Sequence, residues 1–250
     1  MSSVRFAGAL LAAVTLCVAG AGGAKPARPV HAAVAGMDYA HAVADPRRSS
    51  ETRALDEGRK PADVLAFAQI HAREVVADFA AGGGYYSELI AAVVGPKGRV
   101  VALGSPKYYK AEQWDKLRAA HPNIAVMVAD NTDLAPRSVD VIFTHLVFHD
   151  LFLPGRDPRP VLANWFAAVK PGGRVIVADH RGPAGDTAAI ADTLHRIDPA
   201  AATTAMIAAG FVPDGASDAL QRSDDDLTLK VFDPQVRGKT DRFLLRFRRP

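Results

Sequence analysis

The segment around three consecutive glycines is the clearest sign of a ligand site in this sequence. An apolar run, Val75–Phe79, has Asp78 next to its end, and Gly82–Gly84 follow before a helical pattern begins at Tyr85. Glycine has no Cβ, so this loop can take positive φ and approach a ligand closely. The first turn of the next helix presents unpaired amides at the same place. The pattern predicts strand, tight loop and helix, a turn suited to a ligand with an adenosine part.

Histidines in the second half of the chain have the chemistry of a general base. His149 and Asp150 follow one apolar run, and His180 follows the next. Imidazole exchanges protons near neutral pH, and the loops at the carboxyl ends of parallel strands line a cleft. His149, Asp150 and His180 are therefore candidate catalytic residues. The alternative is that His149 and Asp150 form a hydrogen-bonded pair that fixes a turn, and for His145 packing under the loop is favoured over catalysis.

A second polar cluster supplies candidate substrate ligands. Arg181 comes just after the predicted strand Arg174–Asp179, next to His180. His195 and Arg196 are adjacent and lie shortly before Pro199. An arginine in a cleft favours a carboxylate or phosphate on the substrate. Arg181, His195 and Arg196 are thus candidate substrate-binding residues, with a surface ion pair as the simpler alternative for the pair at 195 and 196. Asp198 before Pro199 is typical of a helix N-cap.

The same side chains raise the question of a metal, since imidazole and carboxylate suit zinc, iron or manganese. The chain has no His-Glu-x-x-His pair, so the sequence favours a metal-free site. Tyr85 and Tyr86 could stack on a ligand of the glycine loop, with core packing as the alternative for Tyr86. The side chains of this suitable type are His145, His149, Asp150, Asp179, His180 and His195.

Apolar runs alternate with helical patterns along most of the chain, which predicts a parallel sheet covered by helices on both faces. Segment 241–249 alternates apolar and basic residues, as in an edge or antiparallel strand. Two short helices are expected between Glu51 and Ile70, a helix near Pro199, and a polar lid over 218–240. The predicted strands are Val75–Phe79, Arg99–Leu103, Ile124–Ala129, Val139–Thr144 and Arg174–Asp179, and the predicted helices between them are Tyr85–Val94, Ala111–Ala120 and Pro160–Val169.

The first residues have the order of a secretory leader. Arg5 precedes an uncharged run from Phe6 to Gly20, and small residues extend to Ala24. This predicts a signal peptide and a periplasmic or secreted protein. The only cysteine, Cys17, lies inside the leader, so the mature chain would have no thiol chemistry.

The remaining sequence predicts a single large domain. The chain has 250 residues, a formal net charge of +3 and about half apolar residues, which allows one full core and names no polyanionic partner. We expect a signal peptide over 1–24, an arm or linker over 25–50 and one domain over 51–250. After removal of the leader, no stretch is long enough to span a bilayer. Oligomeric state is not readable from the sequence.

The order of motifs resembles class I S-adenosylmethionine (SAM) dependent methyltransferases, and most closely an exported branch of predicted methyltransferases of unknown substrate. Asp78 and the loop 80–84 match the family's acidic residue and glycine-rich loop, with Ala80 where glycine is usual, and Lys170–Gly173 matches its Lys-Pro-Gly-Gly turn. The resemblance implies a doubly wound, mostly parallel seven-stranded sheet with an antiparallel C-terminal strand in three αβα layers. It also implies SAM as cofactor and a small-molecule acceptor. The implied cofactor-binding residues are Asp78, Ala80, Ala81, Gly82, Gly84, Tyr85, Gly104, Ser105, Asp130 and Asn131.

The second predicted strand departs from the family's pattern. An acidic residue usually binds the ribose hydroxyls at its tip, and here Gly104 stands there, followed by Ser105. A lost charge-assisted hydrogen bond costs about 1.5–3 kcal/mol, so weakened SAM binding is expected unless Ser105 or a water substitutes. The alternative function is a non-catalytic ligand-binding domain on a degenerate methyltransferase fold. The gap does not favour a dehydrogenase, because its fingerprint also needs an acidic residue near this position. The Lys170–Gly173 turn and the C-terminal strand disfavour that alternative.

Overall fold

The computed structural model describes residues 39–129 and 133–250. Within these ranges the chain forms seven strands in one sheet, joined mostly by helices. The strands are β1 Val75–Phe79, β2 Arg99–Gly104, β3 Ile124–Val128, β4 Val139–His145, β5 Val169–His180, β6 Val212–Ser217 and β7 Arg242–Arg248. The helices are α1 Tyr39–Val43, α2 Ser50–Arg53, α3 Asp56–Arg59, α4 Pro61–Ala68, α5 Tyr85–Val94, α6 Ala111–Ala120, α7 Arg159–Ala168, α8 Thr187–Leu194 and α9 Pro199–Ala208.

The sheet has the order β3-β2-β1-β4-β5-β7-β6. The strands from β3 to β5 pair in parallel, whereas β7 is antiparallel to both of its neighbours. Such an arrangement puts the carboxyl ends of all the parallel strands at one edge. The predicted doubly wound sheet with an antiparallel C-terminal strand is confirmed.

Two hydrophobic cores lie on opposite faces of the sheet, because successive side chains of a strand point to opposite sides. Val76 and Val141 pack with α4, α5 and α6 on one face. Their neighbours Ala77 and Ile142 pack with α7 and α9 on the other. The architecture is therefore three-layered, αβα.

The described part of the predicted arm packs against the domain. The Tyr39 hydroxyl donates to the Ile70 carbonyl at 3.1 Å. The buried Arg48 guanidinium binds Asp56 at 2.7 Å and Glu88 at 2.9 Å. Residues 39–48 are thus held to α3 and α5 by buried polar contacts.

Several element boundaries differ from the sequence prediction. Three short helices occupy the stretch where two were expected, because Lys60 takes a left-handed conformation (φ 43°) that separates α3 from α4. Strand β5 begins at Val169, so it includes the Lys-Pro-Gly-Gly turn. Helix α8 and strand β6 were not predicted. Within residues 39–129 and 133–250, no helix combines the length and apolar character that crossing a membrane requires.

Candidate functional site

The glycine loop joins β1 to α5 at the carboxyl edge of the sheet. Three of its residues have positive φ: Ala80 at 53°, Gly82 at 55° and Gly84 at 80°. The Ala81 amide donates to the Leu103 carbonyl at 2.9 Å and so ties the loop to β2. This backbone path leads into the first turn of α5, whose amides face the same edge, with that of Ser87 donating to Asp78.

One side of the loop is packed and the other is open. Gly84 has φ 80°, a conformation that favours glycine, and a Cβ there would crowd Leu117 and Trp114 of α6. A Cβ at Gly82 would meet nothing within 4 Å, and the same holds at Gly104 on the tip of β2. The residues present therefore fit a ligand that lies across the ends of β1 and β2 and contacts the loop backbone.

Asp78 is buried beneath this loop, with 3% of its surface exposed. Its carboxylate accepts a hydrogen bond from the Ser87 hydroxyl at 2.6 Å. Burial raises the pKa of Asp78 to about 7, although the Ser87 hydrogen bond and the Arg59 charge oppose the shift. A carboxyl with this pKa changes charge near neutral pH, so a cation bound above it favours the ionised form.

The tip of β2 has no acidic side chain. Ser105 takes the position after Gly104, and its hydroxyl oxygen accepts from the Lys107 amide at 3.3 Å, as the N-cap of a 3-10 helix over Pro106–Tyr108. That bond uses the oxygen as acceptor and leaves the hydroxyl proton for a ligand. The predicted cofactor contacts Asp130 and Asn131 lie outside the described residues.

The structure corrects the prediction that Tyr85 covers a ligand. Its hydroxyl donates to Asp56 at 2.6 Å, and the Arg59 guanidinium lies 4.3 Å from the ring centre. The ring is buried between these groups and is not free to stack on a ligand. Tyr86 belongs to the core, as its alternative interpretation proposed, with its ring 4.6 Å from Phe143.

His149 lies at the same edge and is held by a carboxylate that the sequence analysis did not pair with it. Its Nδ1 is 3.0 Å from Asp179 Oδ1, and its backbone amide donates to Asp179 Oδ2 at 2.7 Å. Burial disfavours the charged imidazole, but Asp179 outweighs burial and raises the pKa of His149. The other predicted partner, Asp150, lies 3.5 Å from Nε2. His149 therefore bridges two carboxylates.

The other histidines near this edge have different surroundings. His180 is buried, and its Nδ1 lies 2.7 Å from the Thr240 hydroxyl. Burial lowers the pKa of His180 to about 3, so this ring is neutral at neutral pH, and its catalytic role stays a prediction. His145 packs on Tyr86 with ring centres 4.7 Å apart, and burial lowers its pKa.

The predicted substrate ligands separate into two groups. The His195 ring lies 5.5 Å from that of His149, and Arg181 pairs with Asp241 at 2.8 Å while remaining partly exposed. Arg196 is fully buried, and its guanidinium binds Asp225 at 2.7 Å. The predictions that Arg196 faces a substrate or forms a surface ion pair are both wrong, because its donors are used inside the protein.

A cavity of about 510 Å³ lies at the opposite edge of the sheet. It is lined by the end of α5 and the first residues of β2 and β3, including Gly95, Arg99 and Ile124. Since the glycine loop and His149 follow the carboxyl ends of their strands, this cavity is separate from the candidate site.

Ala80 gives a test of the loop conformation. Because a left-handed residue with a Cβ is strained, we expect Ala80→Gly to raise the free energy of unfolding by about 0.5–1 kcal/mol, after allowance for the greater entropy of glycine in the unfolded chain. Ala81→Gly is the matched control, since Ala81 is not in the positive-φ region, and it should lower that free energy by a similar amount. Urea unfolding measures both, and equal effects of the two substitutions would contradict the assigned strain.

Comparisons with known proteins agree with this geometry. Residues 77–177 match the family model described as "Methyltransferase domain". A SAM-dependent methyltransferase from Aquifex aeolicus is similar in structure, with a TM-score of 0.58, 17% identity, and coverage of 86% of this chain and 100% of that one. One from Mesorhizobium loti has a TM-score of 0.56 and 16% identity, with 78% and 100% covered.

The fold is also shared by a protein with another activity in its name. The [4+2]-cyclase SpnF has a TM-score of 0.58 and 16% identity, with 82% of this chain and 84% of that chain covered. No curated protein matches the chain. Residues 77–177 thus match a methyltransferase domain, and the described residues have the class I, Rossmann-like fold of SAM-dependent methyltransferases of known structure.

Proposed function

We propose that this protein is an exported SAM-dependent methyltransferase that acts on a small molecule. The observation that carries the proposal is the register of the central strands. Phe79 of β1 pairs with Thr144 of β4, and His145 of β4 pairs with Ala178 of β5. The glycine loop and His149 therefore follow neighbouring strands, and Asp179 lies near the carboxyl end of the next strand, so a cofactor in the loop lies beside an imidazole held by a carboxylate.

The chain's own groups have separable roles in such a reaction. The loop backbone and the first-turn amides of α5 bind and orient the cofactor, which supplies an activated methyl group on a sulfonium. Asp179 holds the ring of His149 and, in the neutral ring, fixes the proton on Nδ1. The lone pair of Nε2 is then directed away from Asp179, where it can act on an acceptor that must lose a proton.

The proposal of export rests on the predicted leader, which lies outside the described residues. Cell fractionation with an antibody to the chain would detect mature protein only outside the inner membrane. SAM is made in the cytosol, so an exported enzyme needs a supply of SAM outside it. A leader that is retained as a membrane anchor would change that requirement.

A non-catalytic ligand-binding domain is the second candidate, and two positions favour it. Gly104 stands where the ribose hydroxyls are usually bound, and Ala80 occupies a strained position in the loop. A fold of this kind does not determine one reaction. Affinity for the cofactor therefore separates the two functions.

The deciding experiment is calorimetric titration of the purified protein with SAM and with its demethylated product, with a dinucleotide as control. Micromolar binding of SAM and no binding of the dinucleotide support the methyltransferase. No binding of either cofactor form at millimolar concentration would overturn it and leave the ligand-binding scaffold.

Gly104→Asp tests the missing ribose contact. The site has open space for the side chain, and a charge-assisted hydrogen bond contributes about 1.5–3 kcal/mol, so we expect 10- to 100-fold tighter binding. Both cofactor forms contain the ribose, so their affinities should rise equally. Gly104→Asn is the matched uncharged control and should gain less. A gain for cationic SAM alone would indicate general attraction and contradict a ribose contact.

A further inference from the structure

His149, Asp150 and His195 form a cluster with the composition of a metal site. One ligand atom from each lies within 4.8 Å of the others. Asp150 is in the 3-10 helix Phe148–Phe152 that follows β4, together with His149, and His195 is the C-cap of α8. We propose that these three side chains bind a first-row divalent cation, with zinc as the best match to two imidazoles and one carboxylate.

Asp179 provides an independent observation for this site. Histidines that bind metals usually donate their second ring N–H to a carboxylate, which fixes the tautomer and orients the ring. Asp179, fully buried, occupies that position at 3.0 Å from Nδ1 of His149. The same carboxylate also accepts the amides of His149 and His180, so its own position is fixed. The remaining nitrogen, Nε2, therefore faces Asp150 and His195 as a lone pair.

The distances are close to those that a bound cation needs. Zinc bonds of about 2.0–2.1 Å in a tetrahedron place ligand atoms about 3.3–3.4 Å apart. His149 Nε2 and Asp150 Oδ1 are already 3.5 Å apart. His195 closes the remaining gap by a side-chain movement, and its ring is edge-on to that of His149.

The backbone of His195 ends helix α8, and its amide donates to the Ala191 carbonyl. It has φ 52°, in the left-handed region where residues with a Cβ are uncommon. Left-handed residues are common at the end of a helix, so this cap fixes where the His195 side chain leaves α8. The His195 ring also contacts Phe232, with the ring centres 4.9 Å apart. Phe232 belongs to the segment between β6 and β7.

Three protein ligands leave a tetrahedral cation with one open position, which is the pattern of catalytic rather than structural zinc. This part of the inference rests on the proposed function. An acceptor hydroxyl oxygen that binds the open position has its pKa lowered, loses its proton to water and becomes the nucleophile for the methyl carbon as the carbon–sulfur bond breaks. With the cation bound, Nε2 of His149 is a ligand and no longer a base, and the cation takes over the activation of the acceptor. The substrate class is thus a small molecule with a hydroxyl group.

The test is direct metal binding by the purified full chain, without cofactor or acceptor. Co²⁺ is titrated and followed by its visible absorption bands, and Zn²⁺ by calorimetry. We expect one cation per chain, with affinity about 100-fold lower in His195→Asn and Asp150→Asn. Asparagine tolerates left-handed backbone, so the first variant keeps the turn. Asp179→Asn should bind about 10- to 100-fold more weakly as an outer-shell variant.

His71→Ala is the matched control, because it removes a histidine at the opposite edge of the sheet, before β1. It should bind the cation as the wild type does. The proposal is overturned if the wild type takes up no stoichiometric Co²⁺ or Zn²⁺, or if His195→Asn and Asp150→Asn both bind like wild type. SAM titrations are run separately on the metal-free protein, so failure of cofactor binding and failure of metal binding are distinguishable.

Discussion

Replacement of Asp78 by Asn is expected to stabilise the ligand-free protein at pH 8 by as much as ~4 kcal/mol, and by little at pH 4. The carboxyl has a folded-state pKa of about 7, raised by burial. In the unfolded chain an aspartate has a pKa of about 3.9. Between these values the folded state binds more protons than the unfolded state, so this group's contribution to stability falls as pH rises from about 4 to about 7.

Asparagine keeps an acceptor for the Ser87 hydroxyl but has no charge to bury. The difference in the free energy of unfolding between the wild type and the variant isolates the contribution of Asp78. Other groups, some of which make stability rise with pH, contribute equally to both proteins. One of these is His180, whose pKa of about 3 makes stability rise with pH up to its unfolded value. Urea unfolding between pH 4.5 and 8 measures the difference. A flat difference across that range would show that the buried carboxyl is ionised throughout.

Asp192→Asn, which changes an exposed carboxylate on α8, is the control and should differ from wild type by less than about 0.5 kcal/mol at each pH. Cofactor binding offers a second measurement. A sulfonium near the glycine loop favours the ionised carboxyl, so SAM binding at pH 6 should release protons from wild type and fewer from Asp78→Asn. Calorimetry in two buffers of different ionisation heat detects the released protons.

The elements were readable from the sequence where the signal is local. Helix α5 and strand β1 have the predicted bounds, because glycines and a buried apolar run mark their ends. Strand β6 was missed because it is a mostly exposed edge strand that contains Pro213 and Gly215. Helix α8 was missed although Asp186 caps it, accepting from the amides of the first turn.

The candidate site was readable only in part, because its decisive contacts join distant residues. His149 was identified from its place after β4, but its partner Asp179 comes from the next strand, 30 residues away. The adjacency of β4 and β5 was the signal that could have suggested the pair. The glycine loop was identified as a binding turn from its own residues. The burial of Tyr85 depends instead on Asp56 and Arg59 of α3, which are distant in sequence.

Arg196 shows most clearly what the local sequence hides, and it gives the other large prediction. Its side chain and that of Asp225 are 0% and 1% exposed. Removal of one partner of a buried ion pair leaves an uncompensated charge, so Arg196→Met should lower the free energy of unfolding by about 3–5 kcal/mol. Arg159→Met is the matched control, because Arg159 pairs with Asp157 on the surface and is expected to lose less than about 1 kcal/mol.

The cost of Arg196→Met should come mainly from the charge left on Asp225. In the double variant Arg196→Met with Asp225→Leu, both charges are gone and part of the stability should return. The recovery is incomplete, since Asp225 also accepts the amides of Leu227 and Asp241. Urea unfolding of the wild type, the single variants Arg196→Met and Asp225→Leu, and the double variant gives the coupling energy. A cost of Arg196→Met below about 1 kcal/mol would contradict the buried pair.

The position of this pair connects stability to the site. Arg196 also donates to the carbonyls of Arg181 and Leu229, so it joins the end of β5 to the segment between β6 and β7. That segment places Phe232 against His195, next to His149. Loss of the guanidinium should therefore raise amide hydrogen exchange in residues 218–240 before it affects β1 and β4. An equal rise in exchange in the sheet and in residues 218–240 would show that the ion pair stabilises the whole fold. Residues 218–240 would then have no separate stability.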